Sequence, residues 1–147
     1  MKTHVPFSSP TPAEANALVL PLASSRVHAG FPSPAEDFSH ARIDLARELV
    51  AHPQCTFILR VSGDSMTGAG ILDGDILVVD KYLKPEHGDI VVAEIDGEFT
   101  CKRLILRNDQ LILRAENPTY PDIRPKDGQT ITIWGVVTNS ITQHRRP

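Results

Sequence analysis

From residue 56 onward, apolar side chains fall in short runs at 56–61, 76–79, 90–95, 99–106, 111–115 and 130–141. Turn-forming residues separate the runs: Asp73-Gly74-Asp75, His87-Gly88-Asp89, Asp96-Gly97, Asn108-Asp109 and Asp127-Gly128. Short apolar runs punctuated by Gly, Asp and Asn are the pattern of β-strands, and two of the connections are short enough for tight hairpins. Asn117-Pro118-Thr119-Tyr120-Pro121 must be a loop, because two prolines do not fit a central strand. Residues 39–53 read differently. Ile43, Ala46, Leu49 and Val50 form an apolar stripe at helical spacing, Asp44 is a candidate N-cap, and Pro53 ends the run. The expected fold is therefore mainly β: a compact, coiled, mostly antiparallel sheet with one short helix.

Residues 1–38 show no persistent period of either kind. They hold Pro6, Pro10, Pro12, Pro21, Pro32 and Pro34, half of the twelve prolines in the chain, with small and polar residues between them. They are expected to form an extended N-terminal arm, followed by a β-rich domain over 39–147. Within the arm, Ala29-Gly30 places the two smallest side chains on one peptide bond. Phe31 and Ser33 are biased toward extended backbone by the prolines that follow them. Such a segment suits entry into a protease cleft as an added strand.

A chain of 147 residues is enough for one domain with a real core. The formal net charge of -3, with scattered basic residues, gives no footprint for direct nucleic-acid binding. No apolar run reaches membrane-spanning length, and the N-terminus lacks the apolar core of a secretory signal. Cys55 and Cys101 are the only cysteines. Without an export signal they read as free thiols in a reducing cytoplasm. No Cys-x-x-Cys pair occurs and the histidines are dispersed, so neither a metal nor any other cofactor is expected.

The candidate chemistry lies in Val61-Ser62-Gly63-Asp64-Ser65-Met66. A serine in a glycine-bearing turn at a strand end can present its hydroxyl together with backbone N–H groups, as nucleophilic catalysis with an oxyanion hole requires. An ordinary polar turn between two strands fits the same residues. The partner for Ser65 is sought in Lys102, inside the apolar run 99–106. Successive strand residues face opposite sides, so either Lys102 or Arg103 faces the packed side. A buried lysine loses its proton readily and becomes a base, whereas two exposed cations would merely guard an edge strand. His87, in a Glu-His-Gly-Asp turn, fits a surface position better than a catalytic one.

Taken together, Gly63-Asp64-Ser65-Met66, Asp73-Gly74-Asp75, His87-Gly88-Asp89-Ile90-Val91, Asp96-Gly97-Glu98-Phe99-Thr100, Lys102 and Trp134-Gly135-Val136-Val137 resemble the LexA/UmuD family of self-cleaving Ser/Lys proteases. Lys102 follows Ser65 by 37 positions, the spacing of that family. Ala29-Gly30-Phe31-Pro32-Ser33-Pro34 is similar to its self-cleavage segment, and the likeness spans roughly residues 18–142. Only 29 residues precede Gly30 and they carry no helical pattern, so the UmuD branch fits better than helix-turn-helix repressors.

The resemblance implies a LexA-like fold and a Ser65/Lys102 dyad. It implies an oxyanion hole from the backbone of Asp64 and Ser65, and a cut between Ala29 and Gly30. It also implies a homodimer, stimulation by a RecA filament on single-stranded DNA, and a Y-family polymerase of the UmuC type as partner in the SOS response. Three other classes share parts of the pattern. These are a LexA-like or phage repressor fragment, a membrane-anchored signal-peptidase-like enzyme, and a non-catalytic β-rich binding module. The run 130–141 is a further candidate for pairing or packing across a dimer axis.

Overall fold

The computed structural model describes residues 17–24, 26–32 and 40–146. The expectations for residues 1–16 and for Ser33 and Pro34 lie outside them. The chain divides into two compact units, one over Pro10–Ala51 and one that takes in His52 onward.

In the first unit, β1 (Val19–Ala23) pairs antiparallel with β2 (His40–Asp44), and α1 (Leu45–Leu49) follows directly. This corrects two expectations. The stretch around Pro21, expected as part of an extended arm, is a strand paired with β2. The helix spans five residues, because residues 40–44 of the predicted span are taken by β2. Local period pointed to a helix, but pairing with β1 claims the backbone of residues 40–44. Pro21 is tolerated because a two-stranded sheet leaves each strand an open edge. Asp44 is the N-cap as read: its Oδ1 accepts from the Arg47 amide at 3.3 Å and also from the Leu18 amide at 3.1 Å. Pro53 opens a short 3₁₀ turn, Pro53–Cys55, instead of closing the helix.

The second unit is a six-stranded antiparallel sheet. Its strands are β3 (Thr56–Arg60), β4 (Ile76–Asp80), β5 (Ile90–Ile95), β6 (Glu98–Arg107), β7 (Gln110–Arg114) and β8 (Ile131–Ile141). Their spatial order is β3-β4-β8-β5-β6-β7. Each lies within a residue or so of a run read from the sequence. Asp96-Gly97 and Asn108-Asp109 are the two tight hairpins. Both residues of each turn have positive φ, from 49° to 77°, which matches the right-handed twist of the paired strands.

β5 explains why the sheet is coiled. Val92 packs on one face with Met66, Ile71, Leu77 and Val79, while Val91 and Ala93 pack on the other with Leu104 and Leu113. A strand buried on both faces needs chain folded over both sides, and the alternation of the strand supplies it. Register shifts at Val78/Val79 and Val92/Ala93, both against β8, bend the sheet further. At Gly135 in β8 a Cβ would stand 2.6 Å from Val79 Cγ1, so glycine alone fits that approach. β8 pairs with β5 through its first half, Ile131 to Val136, and with β4 through its second half, Val136 to Ile141.

Candidate active site

β3 runs into the serine turn, and the turn is shaped by local chemistry. Gly63 sits at φ 97°, open to glycine and strained for other residues. Its amide donates to Asp73 Oδ1 at 2.7 Å, tying the turn to the neighbouring Asp73-Gly74-Asp75 connection. Met66 is buried in the core beneath the turn, with 2% exposure. Ser65 is therefore held between an exposed glycine turn and an anchored methionine.

Lys102 comes from the middle of β6. β6 lies between β5 and β7, so the edge-guard reading of its two cations fails. Lys102 faces the packed side, 8% exposed, whereas Arg103 reaches Glu116 Oε1 at 2.9 Å and the Gly88 carbonyl at 2.8 Å. Lys102 Nζ lies 3.0 Å from Ser65 Oγ, 2.8 Å from Thr100 Oγ1 and 3.2 Å from the Cys101 carbonyl oxygen. Burial pushes the Lys102 pKa below its ordinary value, with Cys101 opposing more weakly. Burial also pushes the Cys101 thiol up to about 11, against the pull of Lys102. Cys101 is thus a thiol, not a rival nucleophile, at neutral pH.

The three partners of Nζ suit a neutral amine. Two N–H bonds donate to Thr100 Oγ1 and the Cys101 carbonyl. In that form the lone pair is left for the Ser65 hydroxyl. A protonated lysine would instead donate to all three. His87 serves the fold elsewhere. Its Nδ1 accepts from the Leu106 amide at 3.0 Å, fastening the turn before β5.

A cavity of about 230 Å³ opens beside Ser65 and Lys102, walled by Leu59, Val61, Met66, Leu77, Val92 and Phe99. A larger, shallower groove of about 550 Å³ meets it at Phe99 and Thr100 but contains neither Ser65 nor Lys102. The chemistry decides between them, and the smaller cavity is the candidate site. No group of three potential metal ligands and no membrane-spanning helix occurs among the described residues. Ala29 and Gly30 lie in the exposed connection between β1 and β2, and Val27 and Phe31 are 96% and 93% exposed.

The sequence reading missed the residues behind the turn. The Asp64 carbonyl accepts from Asn117 Nδ2 at 2.9 Å, and Tyr120 O–H donates to Asp64 Oδ1 at 2.5 Å. That hydrogen bond and the charge of Asp64 raise the Tyr120 pKa. The Gly68 amide donates to the Glu116 carbonyl at 2.7 Å. The Asn-Pro loop was visible in the sequence, but nothing local pointed it at Ser65.

A serine hydroxyl beside a buried lysine at a strand-end turn is an arrangement that nucleophilic catalysis can use. The chain belongs to the Peptidase S24-like family, whose model matches residues 21–138. It is 47% identical to the protein ImpA of Salmonella typhimurium over 135 residues, covering 91% of each chain. It is 46% identical to the protein MucA of Escherichia coli over 127 residues, 85% of this chain and 86% of that one. The LexA repressor of Syntrophotalea carbinolica is 41% identical over 133 residues, 90% of this chain but 64% of the repressor. The resemblance to the LexA/UmuD family stands on these matches, and the mainly antiparallel β fold agrees with it.

Proposed function

We propose that this protein is a self-cleaving serine peptidase that cuts its own Ala29–Gly30 bond with a Ser65/Lys102 dyad. The observation that carries the reading is the 3.0 Å approach of buried Lys102 Nζ to Ser65 Oγ. Ser65 Oγ attacks the Ala29 carbonyl carbon while neutral Lys102 takes the hydroxyl proton. The N–H groups of Asp64 and Ser65 hold the oxyanion. As the tetrahedral species collapses, the Lys102 ammonium returns the proton to the Gly30 nitrogen and the C–N bond breaks. Ser65 is left as an ester of residues 1–29. Water, deprotonated by Lys102, then hydrolyses the ester. The small side chains of Ala29 and Gly30 admit the backbone to the catalytic turn, and Val27 seats in an apolar pocket.

The product is the chain from Gly30 onward. The relatives support a role in the SOS response, with a RecA filament on single-stranded DNA as stimulus. In this reading the shortened protein is a cytoplasmic homodimer that assists a UmuC-type Y-family polymerase in translesion synthesis. The test is mass spectrometry of the pure protein after incubation at raised pH or with a RecA filament. A fragment beginning at Gly30, absent in Ser65→Ala, is the expected result. A cut elsewhere, or cleavage that persists in Ser65→Ala, overturns the assignment.

A further inference from the structure

We infer that Asn117, supported by Tyr120, is a positioning residue that fixes the oxyanion-binding peptide of the nucleophile turn. The inference rests on the Ser65/Lys102 reading above and deepens it. The peptide that joins Asp64 to Ser65 carries the Asp64 C=O at one side and the Ser65 N–H at the other. No cis peptide bond occurs among the described residues, so this unit is planar and its C=O and N–H point in opposite directions. Asn117 Nδ2, 2.9 Å from the Asp64 oxygen, is the shorter of two donors to it, the Thr67 amide lying at 3.4 Å, and so helps set the direction of the Ser65 N–H as well. That N–H is one of the two assigned to the oxyanion, and no hydrogen bond among the described residues uses it.

The grip needs its own support, because Ser62, Gly63 and Asp64 are all exposed and Gly63 is conformationally loose. The Asn117 amide is oriented at its other end: Oδ1 accepts from the Thr119 amide at 3.1 Å and from Thr119 Oγ1 at 2.8 Å. Tyr120 holds the Asp64 side chain from the same loop. The loop itself is pinned to β7, where Leu113 and Ile123 exchange both backbone hydrogen bonds, at 2.9 and 2.8 Å. Arg114 clamps Asp122 through two bonds at 3.1 and 3.0 Å. A rigid sheet edge thus reaches back and orients the peptide that must receive negative charge. Preorganised donors accelerate a reaction because they need no reorientation as charge develops.

The experiment follows self-cleavage of the full chain against pH for wild type, Ser65→Ala, Asn117→Asp and Tyr120→Phe, with chemical denaturation of each. Asn117→Asp keeps the acceptor for Thr119 but removes the donor to Asp64. Its plateau rate at alkaline pH is expected to fall on the order of a hundredfold, the scale of a lost oxyanion contact. Its new carboxylate also adds charge near the dyad, so the pH midpoint is read from Tyr120→Phe, which adds none. Tyr120→Phe gives a smaller fall with the same midpoint. A folded Asn117→Asp chain that cleaves at the wild-type plateau rate overturns the inference. So does a Tyr120→Phe rate loss that comes with a displaced midpoint, which would place the effect on Lys102. If Asn117→Asp fails to fold, Tyr120→Phe decides: a wild-type plateau overturns the inference and a lowered plateau with unmoved midpoint supports it. A wild-type chain that never cleaves, or a Ser65→Ala chain that does, defeats the underlying peptidase reading instead.

Discussion

Gly68 lies so close to Glu116 that a Cβ on the glycine would stand 2.5 Å from the Glu116 carbonyl oxygen. The Gly68 amide uses the same approach to donate to that oxygen at 2.7 Å. The contact joins the chain just after Ser65 to the end of β7, and the neighbour is backbone, which cannot rotate away. Gly68→Ala should therefore force the two segments apart. A loss of about 1–3 kcal/mol is expected, the range for overpacking, together with slower self-cleavage. Urea denaturation and fragment yield check it; an unchanged midpoint and rate would show that the segments separate freely.

A second prediction concerns Asp80, which is 2% exposed at the end of β4. Its Oδ2 lies 2.6 Å from His52 Nδ1, and its Oδ1 accepts from the Tyr82 amide at 2.8 Å. The His52 ring also packs on Tyr82, with centroids 4.3 Å apart. Asp80→Ala strands both donors and leaves a void. Leaving these donors without their acceptor costs about 1–3 kcal/mol. Asp80→Asn keeps an oxygen for Tyr82 and should cost about 1 kcal/mol, the scale of one hydrogen bond. Equal denaturation midpoints for Asp80→Ala and wild type would remove the pair from any structural role.

These sites show where the sequence was informative and where it was not. The strands of the second unit were legible because their signals are local: alternation, β-branched residues and turn chemistry. Asp96-Gly97 and Asn108-Asp109 need no distant partner to form their turns. Ser65 and Lys102 were legible by residue type, a serine in a glycine turn and a lysine in an apolar strand. The β1–β2 hairpin was not, because Pro21 argues locally against a strand and only pairing with Arg42 reveals one. The grip on Asp64 was hidden for the same reason. Asn117 is 53 residues away and Tyr120 is 56, and no local period reports a contact at that distance.

Gly30 separates substrate from scaffold. A Cβ added there meets nothing within 4 Å, so Gly30→Val should fold as the wild type does, within about 0.5 kcal/mol. If Gly30 enters the catalytic turn as substrate, a branched side chain on the leaving amine displaces the scissile carbonyl from Ser65. A misplacement of about 1 Å costs on the order of a hundredfold in rate. Cleavage followed by mass spectrometry, with denaturation alongside, is the check. A Gly30→Val chain that cleaves at the wild-type rate would exclude Ala29–Gly30 as the scissile bond.

The pH dependence follows from the burial of Lys102, and it reaches activity and stability together. Burial lowers the pKa of the folded lysine below its unfolded value. Only the neutral amine accepts the Ser65 proton, so cleavage should accelerate as pH rises through the folded pKa and then level off. The sign for stability is the same. Below the folded pKa both states carry the proton, and the folded state bears the full penalty of a buried charge. Between the folded and unfolded values the unfolded chain binds more protons than the folded one, so stability rises with pH across that window. Lys102→Met removes the titrating group. It should abolish cleavage at every pH and flatten this part of the stability profile, while raising stability at the acid end. Lys102→Arg should also be inactive, because arginine stays protonated and would be buried as a cation. The measurements are fragment yield and urea midpoint against pH for the three chains. A folded Lys102→Met protein that still cleaves would eliminate Lys102 as the base. An active dyad whose rate falls on raising the pH through the same window would reverse the assignment of its neutral form.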